Sequence, residues 1–265
     1  MENILLEDIP DDLNNIICDS SFQENTTGCS NSTVLHINKI KQYNSAYLKV
    51  AVYNKVENLK NEVEILKWLK GRVSVPEVYY YKEYKDKEYI LMSEIKGFEC
   101  SNQYYRKEPE KMVKIFAEGL KEIHKIDISE CPFDQTLEKK IKKAKYNVDN
   151  GLVDEEDVQA ENIGKNAKEL YEMLVDRRPE SEDLVFTHGD YCLPNVIINE
   201  NKLSGFIDMG RAGVADRYQD LALAVRTLKS NLGSIKWSEL FLKYYGLEKA
   251  DYSKIDFYIL LDELF

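Results

Sequence analysis

Residues 187–210 hold His188-Gly189-Asp190, then Asn195, then Asp208 at the end of an apolar run. An Asp, an Asn and a second Asp suit phosphoryl transfer. One carboxylate can orient a hydroxyl nucleophile, while an amide oxygen and another carboxylate are hard ligands for Mg²⁺. For any single acid, solvation on a surface hairpin is the simpler explanation; the ordered set outweighs it. Val196–Asn199 and Leu203–Ile207 are short apolar stretches around Glu200-Asn201-Lys202, which predicts a hairpin. Centred on Asn201-Lys202, it sets position 195 opposite 208, with both ligands at its open end. A slip of one residue would undo that pairing.

Two further charges extend the set. Tyr47-Leu48-Lys49-Val50 reads as an apolar strand with one lysine, and Glu62 sits on the helix that follows. In a protein-kinase-like lobe a strand lysine contacts the α- and β-phosphates and a helix glutamate holds it. The polar stretch Gln23–Thr33 lies between two strands, where a phosphate-covering loop would stand. It has only Gly28, so no Gly-x-Gly-x-x-Gly is present. Its backbone N–H groups and the hydroxyls of Ser30 and Ser32 could meet phosphate, though a plain hairpin loop fits almost as well. Met92-Ser93-Glu94-Ile95 can offer backbone groups to a purine edge. Tyr47 is either a face for the base or an ordinary strand aromatic.

These residues need elements to hold them. Thr33–Ile40 and Ala46–Val52 read as strands. Glu57–Leu69 reads as a helix with Leu59, Val63, Leu66 and Leu69 on one stripe, ended by Gly71 and Pro76. Glu77–Tyr84 and Tyr89–Met92 form a hairpin around Lys85-Asp86-Lys87. After Lys96-Gly97 the pattern turns helical: Glu108–Lys125, Asp134–Asn150, Asn166–Arg177, Ala215–Leu232, Trp237–Tyr245 and Ser253–Phe265. The expected fold is α+β, with two lobes: a small β-rich lobe over 1–95, a linker near 94–98, and a larger, mainly helical lobe over 96–265. A cleft between lobes is a natural ligand site.

Lys and Arg number 36 against 47 Asp and Glu, a net charge of −11. That disfavours nucleic acid as a partner. It permits a cationic small substrate, or serves solubility alone. No apolar run approaches the roughly 20 residues of a membrane span, and the acidic N-terminus lacks the basic start of a secretory signal. A cytoplasmic location is expected. Five cysteines without a Cys-x-x-Cys pair predict reduced thiols. His36 and His124 have no expected chemical role, and His188 is expected to support the Asp190 loop as scaffold.

Over most of its length the chain resembles the aminoglycoside 3′-phosphotransferases. The likeness rests on Tyr47-Leu48-Lys49, Leu91-Met92-Ser93-Glu94, Ile126–Pro132, Asp183-Leu184-Val185 and the segment from His188 to Asp220. The ending Leu260-Leu261-Asp262-Glu263-Leu264-Phe265 is its most specific part. The resemblance implies a protein-kinase-like fold and transfer of a γ-phosphoryl group from ATP or GTP, with Mg²⁺, to the 3′-hydroxyl of drugs such as kanamycin and neomycin, conferring resistance. It implies that Lys49 binds phosphates, Glu62 orients it, Tyr47 stacks on the base, and the backbone from Met92 through Ser93 to Ile95 reads the base edge. Asp190 would face the acceptor hydroxyl, and Asn195 and Asp208 would hold Mg²⁺. Asp262, Glu263 and the terminal carboxylate of Phe265 would meet the drug's ammonium groups. Asp157 and Glu161, in an acidic insert, would add to them. Arg226 and Arg211 would line the site, Arg211 touching phosphate or Asp190 or else forming a structural ion pair. Some members carry an acid shortly after the position of Arg226; here Thr227, Leu228, Lys229 and Ser230 stand, which leaves the drug spectrum open. A kinase of another small cationic or sugar metabolite is the alternative, and a monomer is expected.

Overall fold

The computed structural model describes residues 9–25, 32–40, 43–53, 58–155, 158–159 and 162–265. The chain divides into two compact units. One comprises the described residues up to Gly97 together with Ser204–Gly210; the other comprises Phe98–Leu203 and Arg211–Phe265.

The first unit contains α1 (Asp11–Ile17), β1 (Ser21–Asn25), β2 (Thr33–Asn38), β3 (Ser45–Val52), α2 (Leu59–Leu69), β4 (Val78–Tyr84) and β5 (Lys87–Ser93). The strands form one antiparallel sheet in the order β1-β2-β3-β5-β4. Side chains alternate along a strand. Ala46, Leu48 and Val50 of β3 therefore share one face and are buried with Leu13, Ile17, Leu35 and Ile37. Tyr47 and Lys49 must take the opposite face. The short α1 was absent from the sequence expectation. It is seven residues long and buries Leu13 and Ile17, too short a span to establish a helical period.

Helix α2 buries the predicted stripe and, with it, Glu62. Its start is fixed twice. Asn58 caps it by accepting from Asn61 N at 3.0 Å. The fully buried carboxylate of Glu88 accepts from Leu59 N at 3.0 Å, from Lys60 N at 3.2 Å and from the Tyr81 hydroxyl at 2.8 Å. An anion at this end of a helix is favourable because the unpaired N–H groups point at it. Because Glu88 lies on β5, this contact sets the height of α2, and hence of Glu62, against the sheet.

Ser204–Gly210 joins the first unit, a departure from a single cut near 94–98. Phe206 N donates to Ser74 O at 2.9 Å, Ser74 Oγ to Ser204 O at 2.6 Å, and Ser204 Oγ to Lys96 O at 2.6 Å. At Gly205 a Cβ would stand 2.7 Å from the Ser74 carbonyl oxygen, so only glycine allows this approach.

The second unit contains β6 (Phe98–Glu99), α3 (Pro109–His124), α4 (Leu137–Asp149), α5 (Ala167–Asp176), β7 (Leu184–Thr187), β8 (Val196–Asn199), the start of β9 (Lys202–Phe206), β10 (Gly213–Asp216), α6 (Tyr218–Leu232), α7 (Ile235–Tyr245) and α8 (Tyr252–Asp262). β7 pairs antiparallel with β10, and α6 packs on both α7 and α8. Two expectations are corrected here. Ala215 and Asp216, expected in a helix, are strand because Gly213–Asp216 completes a ladder with Thr187–Leu184. The hairpin turn is Glu200-Asn201, both at positive φ (49° and 61°), the pattern of a two-residue primed turn. That is one residue earlier than expected, so the ladder does not set 195 opposite 208. Among the described residues no helix is long and apolar enough to cross a membrane, and no disulfide joins Cys18, Cys100, Cys131 or Cys192.

Glu88→Ala removes the shared acceptor of Leu59 N, Lys60 N and the Tyr81 hydroxyl, the first of them buried. We expect it to destabilise the protein by about 2–4 kcal/mol in urea unfolding, whereas Glu88→Gln, which keeps one acceptor oxygen, loses less. Equal midpoints for Glu88→Ala and the parent would refute the role given to Glu88.

Candidate active site

In the first unit Lys49 is the centre of charge. Its Nζ donates to Glu62 Oε2 and to Asp208 Oδ1, each at 2.9 Å. Its side chain is only 11% exposed. Burial opposes the ammonium charge, but Glu62 and then Asp208 outweigh it and hold the pKa above the ordinary lysine value. Lys49 is thus a fixed, permanently protonated cation. Asp208 keeps 44% of its side chain exposed. Its backbone is left-handed, at φ 59°, a conformation Asp tolerates better than most residues. Asn61 Nδ2 donates to Gly210 O at 2.8 Å and fastens the end of that segment to α2. The predicted pair of Lys49 and Glu62 is therefore formed, and the same unit supplies Asp208.

The residues assigned to the base are less uniform. Tyr47 stacks on His36, with ring centroids 4.7 Å apart. His36 also faces Glu94 at 3.4 Å, and Ser45 Oγ donates to the same carboxylate. Met92 is buried. Ser93 N donates to Glu77 O at 2.8 Å, and Ser93 Oγ accepts from Glu77 N. That commitment occupies the Ser93 N–H and leaves its carbonyl oxygen as the backbone group for a base edge; the next segment, Glu94-Ile95, lies outside the strand. Ser32 is described at the start of β2, half-buried. Ser30 lies outside the described residues.

In the second unit the chemistry-bearing loop follows β7. Its anchor is Asp220 on α6, a fully buried carboxylate. It accepts from His188 N at 2.7 Å and from Gly189 N at 2.8 Å. His124 Nε2 stands 3.1 Å from the same carboxylate, and His124 Nδ1 lies 2.7 Å from the Tyr245 hydroxyl. Arg217 NH1 in turn donates to that hydroxyl at 3.1 Å. The directions are consistent throughout: guanidinium to phenol, phenol to imidazole, imidazole to carboxylate. His188 accepts from Asp190 N through Nδ1 at 3.3 Å, so it supports the loop as a neutral acceptor. Gly189, at φ +83°, lies so close to the backbone after β9 that a Cβ would stand 2.0 Å from Arg211 O.

Asn195 completes the loop. Its Nδ2 donates to Asp190 O at 3.0 Å and to Asp190 Oδ2 at 2.9 Å. This fixes the carboxylate and orients the amide. With Nδ2 committed, the remaining polar atom is Oδ1, a hard oxygen of the kind Mg²⁺ takes. The Asp208 carboxylate belongs to the same donor class, so both residues suit that ion. Sequence missed Asp220 as an anchor, along with its partners His124 and Tyr245. The available signal was an acid followed directly by Leu221-Ala222-Leu223-Ala224, all buried.

The C-terminal end differs from a bare acidic patch. Asp262 Oδ2 accepts from Arg226 NH2 at 2.5 Å, and Asp262 Oδ1 lies 3.6 Å from Arg211 NH1. Arg211 is thus an ion-pair partner of Asp262. Glu263, expected to meet substrate directly, is buried and accepts from Gln159 N at 3.0 Å and Asn162 Nδ2 at 2.8 Å. It ties the acidic insert to the chain end. Asn147 Nδ2 donates to Leu264 O at 2.8 Å. The Phe265 ring has Lys140, Lys143 and Arg211 at 5.8, 5.1 and 5.9 Å. Asp157 and Glu161 lie outside the described residues.

The Gly189 contact yields a paired test. Gly164 has nearly the same backbone, φ +85°, but a Cβ there would meet nothing within 4 Å. Gly164→Ala is expected to lose about 1 kcal/mol from the left-handed backbone alone. Gly189→Ala adds a backbone collision and is expected to lose at least about 3 kcal/mol in urea unfolding. Equal losses would show that the close approach to Arg211 does not constrain the loop.

Known proteins resemble this chain in sequence and fold. The model of a phosphotransferase enzyme family (APH) matches residues 21–258. An aminoglycoside 3′-phosphotransferase of Niallia circulans is 43% identical over 258 residues, 97% of each chain. One from Enterococcus faecalis is 38% identical over 211 residues, 78% of this chain and 79% of that one. Among solved structures, an aminoglycoside-3′-phosphotransferase of type VIII superposes with a TM-score of 0.84 at 30% identity, covering 93% of this chain and 94% of that one. A Streptomyces rimosus aminoglycoside phosphotransferase in complex with ADP and streptomycin gives 0.78 at 26% identity, covering 95% of each. With a buried lysine, its glutamate and an aspartate-asparagine loop in place, the chain belongs to the phosphotransferase enzyme family, alongside the aminoglycoside 3′-phosphotransferases.

Proposed function

We propose that the protein transfers the γ-phosphoryl group of ATP to the 3′-hydroxyl of an aminoglycoside, and so inactivates the drug in the cytoplasm, where the triphosphate is available. The observation that carries the reading is the Lys49 ammonium held at 2.9 Å by both Glu62 and Asp208. A cation fixed in this way meets the α- and β-phosphates without reorganising, which is where electrostatic catalysis gains most.

Asp190 accepts the proton of the 3′-hydroxyl as its oxygen bonds to the γ-phosphorus. The bond from that phosphorus to the β-phosphate oxygen breaks, and ADP leaves with the electron pair. Asn195, by holding Asp190 Oδ2, keeps the carboxylate aimed, and Asp220 keeps the loop in place. Asn195 and Asp208 would hold Mg²⁺, which when bound neutralises charge on the polyphosphate oxygens. Tyr47 would stack on the base, with the Ser93–Ile95 backbone at its edge. The drug is a polyamine sugar, so Asp262, with Phe265 beside it, would meet its ammonium groups. Arg226 and Arg211 tune Asp262, while Glu263 holds the insert that borders this end. A net charge of −11 favours arrival of such a cation.

The test is steady-state kinetics with ATP and GTP against kanamycin and against an aminoglycoside lacking the 3′-hydroxyl. Asp190→Ala should lower kcat by about 10²- to 10⁴-fold with little change in KM for ATP, and the analogue without the hydroxyl should not be phosphorylated. An Asp190→Ala enzyme with unchanged kcat would refute the assigned mechanism. Turnover of the analogue at the rate of kanamycin would refute the position of attack.

A further inference from the structure

Lys140 lies on α4 and is only 7% exposed. Among the described residues its ammonium makes no hydrogen bond and no ion pair; its one aromatic contact is the Phe265 ring, 5.8 Å away. Such a burial is unfavourable for a charge, and a methionine of similar length would fill the space without that penalty. The surroundings explain why a charge there matters. Asp262, Arg211, Asp220 and Lys143 are the charged groups that act on it. Asp262 comes from the end of α8, Asp220 from α6, Arg211 from the segment before β10, and Lys143 from α4 itself. Lys143 and Arg211 also flank the Phe265 ring. The chain end therefore already contains cations of its own.

We propose that Lys140 is a specificity-determining charge: a cation built into the chain that opposes the substrate's ammonium groups at the end formed by Asp262 and Phe265. The proposal rests on the assignment of that end to the aminoglycoside. While protonated, Lys140 weakens the field that attracts the drug. It thereby limits how tightly a polycation binds. Burial, partly offset by Asp262, brings the Lys140 pKa down to about 8. The group is therefore mostly charged near neutrality and loses its proton as pH rises through that value, which removes one positive charge from the drug's end of the site. The same linkage predicts that a bound polycation lowers the pKa further.

The experiment compares KM for kanamycin in the parent, Lys140→Met, Lys140→Arg and Asp262→Asn enzymes from about pH 6.5 to about pH 9, with urea unfolding of each. Lys140→Met should lower KM by about fivefold near neutrality, the size expected for one charge at an effective dielectric between protein and water, with kcat unchanged. The ratio of parent KM to Lys140→Met KM should fall towards one as pH approaches 9. The substrate's own titration is common to both enzymes and cancels in this ratio. Lys140→Arg, charged throughout, should keep the higher KM at every pH. Should Lys140→Met fail to fold, Lys140→Gln makes the same comparison. An unchanged or raised KM in Lys140→Met, while Asp262→Asn raises KM severalfold, would overturn the proposal and leave the proposed function standing. If Asp262→Asn also leaves KM unchanged, the drug does not bind at this end and both fall.

Discussion

A single buried carboxylate, Asp220, decides whether the loop after β7 has a usable shape. Two successive backbone N–H groups, at 188 and 189, converge on this side chain, and they need one acceptor that can take both. A carboxylate is the side chain with two equivalent acceptor oxygens, and in a dry setting it must also be compensated. His124 provides that compensation, with Tyr245 and Arg217 behind it. Everything that Asp190 and Asn195 do to each other presupposes this geometry. A loop of unpaired amides in the same place would cost more than the loop's contacts return.

Charge is handled in two opposite ways in the two units. Lys49 is buried between two carboxylates, so its charge is held on more firmly than in water. Lys140 is buried, and the two carboxylates that act on it, Asp262 and Asp220, are opposed by two cations, Arg211 and Lys143, so its charge is held less firmly. Burial is the same in kind; the balance of neighbours sets the direction. A group that must meet phosphate in every cycle gains from the first arrangement. A group that must yield to an incoming cation gains from the second.

Much of this was legible in the sequence, and the boundary is physical. Strand alternation forces Lys49 away from Leu48 and Val50, and helical periodicity places Glu62 beside Val63, so the pair followed from local rules. The direct hydrogen bond from Asn195 to Asp190 was not foreseen from their five-residue spacing. The hairpin register did not follow. Glu200 adopts φ 49°, a left-handed position that glutamate does not announce, and moving the turn by one residue moves every cross-strand partner by two. The anchor at Asp220 and the return of Ser204–Gly210 to the first unit arise from contacts between residues far apart in the chain, through buried polar groups and close backbone approaches, to which no local period points. Tyr47 lies on its expected strand, but its stacking on His36 required the β2–β3 register.

The end of the chain shows how a sequence oddity becomes a constraint. Acidic residues at the C-terminus of α8 oppose the helix dipole, since the carbonyl end is itself negative. The two acids are relieved by different means. Glu263 accepts from a backbone N–H and an amide, which fix its position. Asp262 is relieved by two guanidinium groups, which cancel its charge. A substrate ammonium approaching Asp262 therefore gains only the difference between its own interaction and the one the arginines already make. Affinity at this end becomes a contest between like charges on protein and ligand, and specificity follows from how many cations the ligand can bring at once. A weakly charged sugar cannot displace or share those partners, whereas a polyamine sugar can. The internal cations thus filter for charge density in a way that an unopposed acidic pocket would not.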